Sequence, residues 1–157
     1  MKNFPYYKQI NKKDCGPTCL KMISEFYGRS FSRKQMLSAI NIAQEGVSMY
    51  DICNAAERIG LEAIGMKIKT EDLHDLDLPV ILHWNTNHFV VLFKIEGDQY
   101  HIADPAVGVL IYTTSDLKPH WLGLDYSNTS GGAILSFSRY INERSPSFNP
   151  LPNMCFS

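Results

Sequence analysis

A chain of 157 residues, 45% hydrophobic and 20% charged, has the length and composition of one globular domain with a real core. Its net charge of -1 excludes the strongly basic footprint of a nucleic-acid or anionic-membrane binder. No apolar run approaches the roughly 20 residues that cross a bilayer, and Met1-Lys2-Asn3-Phe4-Pro5 lacks the apolar centre of a secretion signal, so a cytosolic location is the default expectation.

In chain order, the first half reads helical. Asp14 is a good N-cap type, and Pro17 suits a first helical turn because it has no backbone N–H to satisfy. Leu20, Ile23, Phe26 and Tyr27 then recur at helical spacing as far as Gly28, predicting a helix over about 16–27 with Cys15 at its N-terminus. Ser32-Arg33-Lys34-Gln35 has the form of a capping box and opens a short helix through Met36, Leu37 and Ile40. Ser48-Met49-Tyr50-Asp51 is a second start signal, and the stripe Ile52, Ala55, Ala56 and Ile59 leads to a stop at Gly60. These stripes read as core faces.

Leu61 to Lys69 alternates as a strand, and Thr70-Glu71-Asp72-Leu73 caps a short helix or turn. From residue 79 onward the pattern is one of strands separated by turns. They fall at 79–84, 88–95, 100–103, 108–112 and 132–137, with turns at Asn85-Thr86-Asn87 and Gly97-Asp98 and a short helix over 115–121. Helices first and hairpin strands afterwards predict an α+β fold with an antiparallel sheet. The expected domain spans 1–144, and the proline-containing segment 145–157 reads as a linker or frayed tail.

Cys15 is the residue with chemistry to explain. A helix N-terminus presents free N–H groups and partial positive charge, which favour a thiolate, and the thiolate is the nucleophile. All four cysteines are expected reduced in a cytosolic chain. Cys15 and Cys19 lie four apart, but no second Cys/His pair has zinc-ligand spacing, so no metal site is expected. Cys19 and Cys53 read as small buried apolar residues, and Cys155 as an exposed thiol without a role.

A thiol needs an imidazole, a group to orient that imidazole, and donors for an oxyanion. Of the five histidines, His88 opens the long apolar strand after an Asn-rich turn, where a side chain can face a cleft. His83, beside Trp84 in the middle of a strand, is the rival. His74, His101 and His120 read as a solvated face, a hairpin strand and a short helix. Asp104 ends the strand that pairs with the one starting at His88, and a bulge or wider loop would bring it within reach of that imidazole. Its plainer reading is turn chemistry before Pro105. Gln9 could donate its amide to an oxyanion beside the Cys15 backbone N–H, and its plainer reading is a surface glutamine.

Three segments, taken in order, carry a resemblance. They are Gln9 through Leu20, with its Asp-Cys-Gly; His83 through Leu92, ending His-Phe-Val-Val-Leu; and Ile102-Ala103-Asp104-Pro105-Ala106-Val107-Gly108. Over about residues 5–125 the chain resembles the C39 cysteine peptidase family, papain-like domains at the N-terminus of bacterial ABC transporters that export bacteriocins and related peptides. The resemblance implies a papain-like fold, with N-terminal helices packed on an antiparallel sheet. It implies Cys15 as nucleophile, His88 as general base and acid, Asp104 as the group orienting His88, and Gln9 in the oxyanion hole. It also implies cleavage of leader peptides after Gly-Gly or Gly-Ala, in a cleft too narrow for side chains, with Tyr6, Tyr7 and Trp84 as candidate walls. An apolar groove gripping an amphipathic leader helix belongs to the same expectation.

The implied partners are a precursor peptide with a Gly-Gly leader and the transmembrane and nucleotide-binding domains of a transporter, in cis or in trans, at the cytoplasmic side of the bacterial plasma membrane. No nucleic acid, metal or cofactor is implied, and ATP enters only through a transporter. Pro17-Thr18 departs from the small residues many relatives carry there. No membrane segment or nucleotide-binding motif follows, so an excised domain and a free-standing peptidase are both expectations. Two readings compete with an active peptidase: a catalytically silent leader-binding module on the same fold, and a thiol-rich metal or redox protein.

Overall fold

The computed structural model describes residues 3–40, 46–129 and 131–139. The expected boundary at 144, the tail beyond it and Cys155 lie outside the described residues. After an extended N-terminal segment and a 3-10 helix (Lys12–Asp14) come α1 (Cys15–Phe26), α2 (Arg33–Ala39) and α3 (Met49–Arg58). The strands are β1 (Leu61–Ile68), β2 (Val80–Trp84), β3 (His88–Glu96), β4 (Gln99–Asp104), β5 (Gly108–Tyr112) and β6 (Gly132–Arg139), with α4 (Thr114–Leu122) between the last two. They form one sheet in the order β1-β6-β2-β3-β4-β5, antiparallel at every pairing. This is the α+β arrangement expected.

Local chemistry accounts for the helix limits. Ser32 accepts from the Gln35 N–H at 3.1 Å while Gln35 accepts from the Ser32 N–H at 2.8 Å. Ser48 and Asp51 repeat this reciprocal cap at 3.1 and 3.0 Å. After α1 and α3 the chain turns through Gly28 and Gly60 at φ of 86° and 89°, a left-handed conformation that suits glycine.

The sheet is covered on both faces. On one, Leu20, Ile23 and Ile52 of α1 and α3 pack with Ile81, Phe89, Val91 and Leu135. On the other, Leu117 and Trp121 of α4 pack with Val80, Leu82, Val90, Leu92, Ile102 and Ile134. Burial on both sides explains why Phe89 to Leu92 is a continuous apolar run instead of an alternating one. Cys53 is buried in the helical layer as expected, but it is disulfide-bonded rather than reduced.

Candidate active site

Cys15 is the first residue of α1, as its sequence context predicts, and is 6% exposed. The corner that carries it is built differently from the expectation. Asp14 stands at the N-cap position, yet its side chain makes no cap hydrogen bond to α1. Its Oδ2 instead accepts from Arg33 Nη2 and Nε at 2.6 and 3.0 Å and from the Asn11 N–H at 3.2 Å. Gly16 follows because α3 approaches closely. A Cβ there would sit 3.1 Å from a Val47 methyl and 3.2 Å from the Ile52 Cδ1.

α1 lies against β3, and the Cys19 thiol donates to the Phe89 carbonyl at 3.3 Å. Burial pushes the Cys19 thiol well up, and the neighbouring Cys15 and Asp104 add to this. Cys19 is fully buried and so reads as packing, not as a second reactive thiol. Iodoacetamide at neutral pH should therefore modify Cys15 at least about tenfold faster than Cys19, read by peptide mapping. Equal rates would contradict this assignment.

A bulge brings His88 and Asp104 together. Near the Gly97-Asp98 turn the register of β3 on β4 runs Glu96↔Gln99, Ile95↔Tyr100 and Lys94↔His101, and beyond Phe93 it runs Leu92↔Ile102 and Val91↔Ala103. Phe93 is thus an extra residue on β3. Side chains alternate with period two, so without it His88 and Asp104 would fall on opposite faces. With it, the pairing runs on to Val91↔Ala103, one residue short of Asp104 and three short of His88. His88 Nε2 and Asp104 Oδ1 are 2.7 Å apart.

The His88 ring also interacts with the Cys15 side chain, which favours the charged ring. With Nε2 committed to Asp104, Nδ1 is the nitrogen left for the thiol. Burial of His88 works against its charge, but the hydrogen bond to Asp104, the interaction with Cys15 and the negative charge of both outweigh it, raising its pKa to about 9. Asp104 is 4% exposed, and its Oδ1 also accepts from the Ala106 N–H at 2.9 Å, so the turn chemistry and the pairing with His88 coexist.

The rival, His83, is not part of this chain of contacts. It lies with its ring centre 5.2 Å from that of Phe89, and burial lowers its pKa. His74 meets the Tyr100 hydroxyl at 3.3 Å, His101 lies 3.9 Å from Glu96, and His120 bonds Asn85.

Gln9 ends the N-terminal segment that runs beside the site. Its backbone N–H donates to the Pro105 carbonyl at 2.8 Å. Its side-chain Nε2 donates to the Asn11 carbonyl at 3.1 Å, and its Oε1 is buried without a hydrogen-bond partner among the described residues. One amide N–H is thus used locally and the second is uncommitted.

Supports that the sequence pattern did not reveal come from two places. The Tyr6 hydroxyl donates to the Asp104 carbonyl at 2.8 Å, tying the N-terminal segment to the end of β4. The turn before His88, with Asn85 and Thr86 at φ of 49° and 63°, is held to α4 by the Asn85 N–H on the His120 carbonyl at 2.8 Å and by His120 Nδ1 at 2.8 Å from Asn85 Oδ1. Such long-range contacts leave no periodicity in the chain. Trp84, one of three candidates for a cleft wall, is only 1% exposed and stacks on His120 at 4.9 Å between ring centres.

Residues 3–125 match the Peptidase C39 family. Among curated proteins, the chain is 28% identical over 120 residues to the colicin V secretion/processing ATP-binding protein CvaB of Escherichia coli, covering 76% of this chain and 17% of that protein. It is 31% identical over 122 residues to the lactococcin-G-processing and transport ATP-binding protein LagD of Lactococcus lactis, covering 74% and 17%. The chain therefore spans about a sixth of the length of these relatives. A crystal structure of a double glycine motif protease from an AMS/PCAT transporter in complex with the leader peptide superposes with a TM-score of 0.72 at 28% identity, over 86% of this chain and 91% of the other. The peptidase domain of Streptococcus ComA, a bi-functional ABC transporter, superposes with a TM-score of 0.76 at 23% identity over 87% and 99%, a likeness of fold.

Proposed function

Because the chain belongs to the Peptidase C39 family, we propose that it is a cysteine endopeptidase removing the leader of bacteriocin-like or other secreted peptide precursors after a Gly-Gly or Gly-Ala pair. The observation that carries the reading is the His88–Asp104 pair at 2.7 Å, which interacts with Cys15 at the N-terminus of α1. The Cys15 thiolate attacks the carbonyl carbon before the scissile bond. The C–N bond then breaks, and the imidazolium of His88 gives its proton to the leaving amine. The leader remains as a thioester on Cys15. His88 then takes a proton from water, the hydroxyl attacks the thioester, and the leader leaves as a carboxylic acid while the thiol is restored. Asp104 orients the ring and stabilises its charged form. The chemistry calls on no cofactor beyond water.

Gln9 supplies the uncommitted N–H to the oxyanion, with the Cys15 backbone N–H as second donor. Gln9→Ala should raise the acylation barrier by roughly 2–4 kcal/mol, read as single-turnover cleavage. An unchanged rate would remove Gln9 from the oxyanion site.

The relatives' names, which join processing to an ATP-binding transport protein, support a reading of partners and place. The substrate is a leader-bearing precursor, and the domain works with the transmembrane and nucleotide-binding parts of an ABC transporter, in cis or in trans, at the cytoplasmic face of the bacterial plasma membrane. ATP enters through those parts. A docked amphipathic leader suits the edge strand β5, which starts opposite Asp104 and exposes Val109, Leu110 and Ile111 beside an open groove against α4. The test is a precursor series. A peptide with Gly-Gly before the cleavage point should be cut there, and changing either glycine to valine should slow cutting at least about a hundredfold, a clash no side-chain contact can repay. Equal cleavage of the valine peptides would overturn the double-glycine reading.

A further inference from the structure

Arg33 breaks a local rule. It is the first residue of α2, where the helix dipole disfavours a cation. Asp14 breaks another, standing at the N-cap of α1 without capping it. Each departure is explained by the other residue. The guanidinium of Arg33, half-exposed, reaches across to the Asp14 carboxylate, which is 5% exposed, and places Nη2 and Nε at 2.6 and 3.0 Å from one oxygen.

Asp14 is the residue directly before Cys15. An unpaired carboxylate buried there would oppose a thiolate next to it in the chain. Building on the thiolate mechanism proposed above, we infer that Arg33 is a positioning residue of the thiol site: by clamping Asp14 it holds the corner that carries Cys15 and cancels the negative charge beside it.

Other charges near the corner are accounted for. His88 on β3, with Asp104 of β4 behind it, and Cys19 one turn along α1 face Cys15. Tyr7, Lys8 and Lys21 line the small cavity around the pair, and Lys12 and Lys13 are exposed on the 3-10 helix. All of these stay unchanged in the variants below, so a shift reports on the pair.

The readout is the pH dependence of Cys15 alkylation by iodoacetamide in the full chain, quantified by peptide mapping. It reads the thiolate whether or not the protein cleaves any peptide, so a failure here is distinguishable from a failure of the peptidase reading. Arg33→Gln should move the midpoint of the profile up by about one pH unit, a roughly tenfold loss of rate on its acid side. Asp14→Asn should move it down, because Arg33 is then an uncompensated cation. The double variant Asp14→Asn/Arg33→Gln should return toward the parent, and Arg33→Lys should stay close to it. A purely structural role would lower rates without opposite-signed shifts. If Arg33→Gln does not fold, Asp14→Asn and the double variant decide. A midpoint that is unmoved or raised in Asp14→Asn overturns the inference, as does an unmoved midpoint in a folded Arg33→Gln.

Discussion

Replacing Cys15 by alanine should abolish cleavage of a Gly-Gly precursor, a loss of roughly six orders of magnitude when the covalent route is removed. The expectation rests on what the residue touches. Cys15 begins α1 and interacts with His88, which in turn pairs with Asp104 at 2.7 Å. Among the described residues no second thiol can substitute, because Cys19 is fully buried and donates to the Phe89 carbonyl. The side chain lost is small and almost buried, so the fold and the binding of the leader should persist. Binding of the precursor by Cys15→Ala, measured by fluorescence anisotropy, should match that of the parent chain. Full turnover by the variant would sink the nucleophile assignment. A parent chain that binds but turns over no better than the variant would mark a silent module.

His88→Ala should be nearly as severe, a loss of roughly five orders of magnitude, since the thiolate loses its counter-charge and the amine its proton donor. His83→Ala is the control. His83 lies against the Phe89 ring, away from Cys15 and Asp104, so its removal should leave most activity. The reverse result would mean that His83 is the catalytic base.

The charged state of His88 also sets a pH window. Its pKa in the folded protein is about 9, above the ordinary value of 6.5. The charged ring's contribution to stability is therefore complete below 6.5 and is lost as pH rises through about 9. Activity should fall through the same upper limit, because a neutral ring cannot protonate the leaving amine. In Asp104→Asn that limit should move down, since the charge and the hydrogen bond that raise it are removed. An unmoved limit would separate Asp104 from the titration of His88.

The helices were legible because their signals are local. Ser32 with Gln35 and Ser48 with Asp51 are reciprocal caps in sequence and in space, and Gly28 and Gly60 stop α1 and α3 where the apolar stripes end. The strands were legible from turn residues and apolar runs. The partnership of His88 and Asp104 was only half legible. Hairpin arithmetic brought the two close, but the face each occupies depends on the extra residue at Phe93, which no pattern in the run Phe89 to Lys94 announces. Asp14 was legible in position, since it stands at the N-cap, but not in what its side chain bonds. Its residue type suits an N-cap, but a guanidinium 19 positions away competes for the same carboxylate and wins. The covering of Trp84 was not legible, because α4 supplies His120 from a distant part of the chain.

As the proposed nucleophile, Cys15 carries the leader as a covalent intermediate. This role is tested most directly by mixing the chain with a Gly-Gly precursor, quenching in acid at short times, and recording the intact mass. A transient adduct with the mass of the leader acyl group, mapped to the peptide containing Cys15 and followed by free leader and mature peptide, is the predicted result. Unmodified protein beside uncut precursor, under conditions where the two bind, would contradict it.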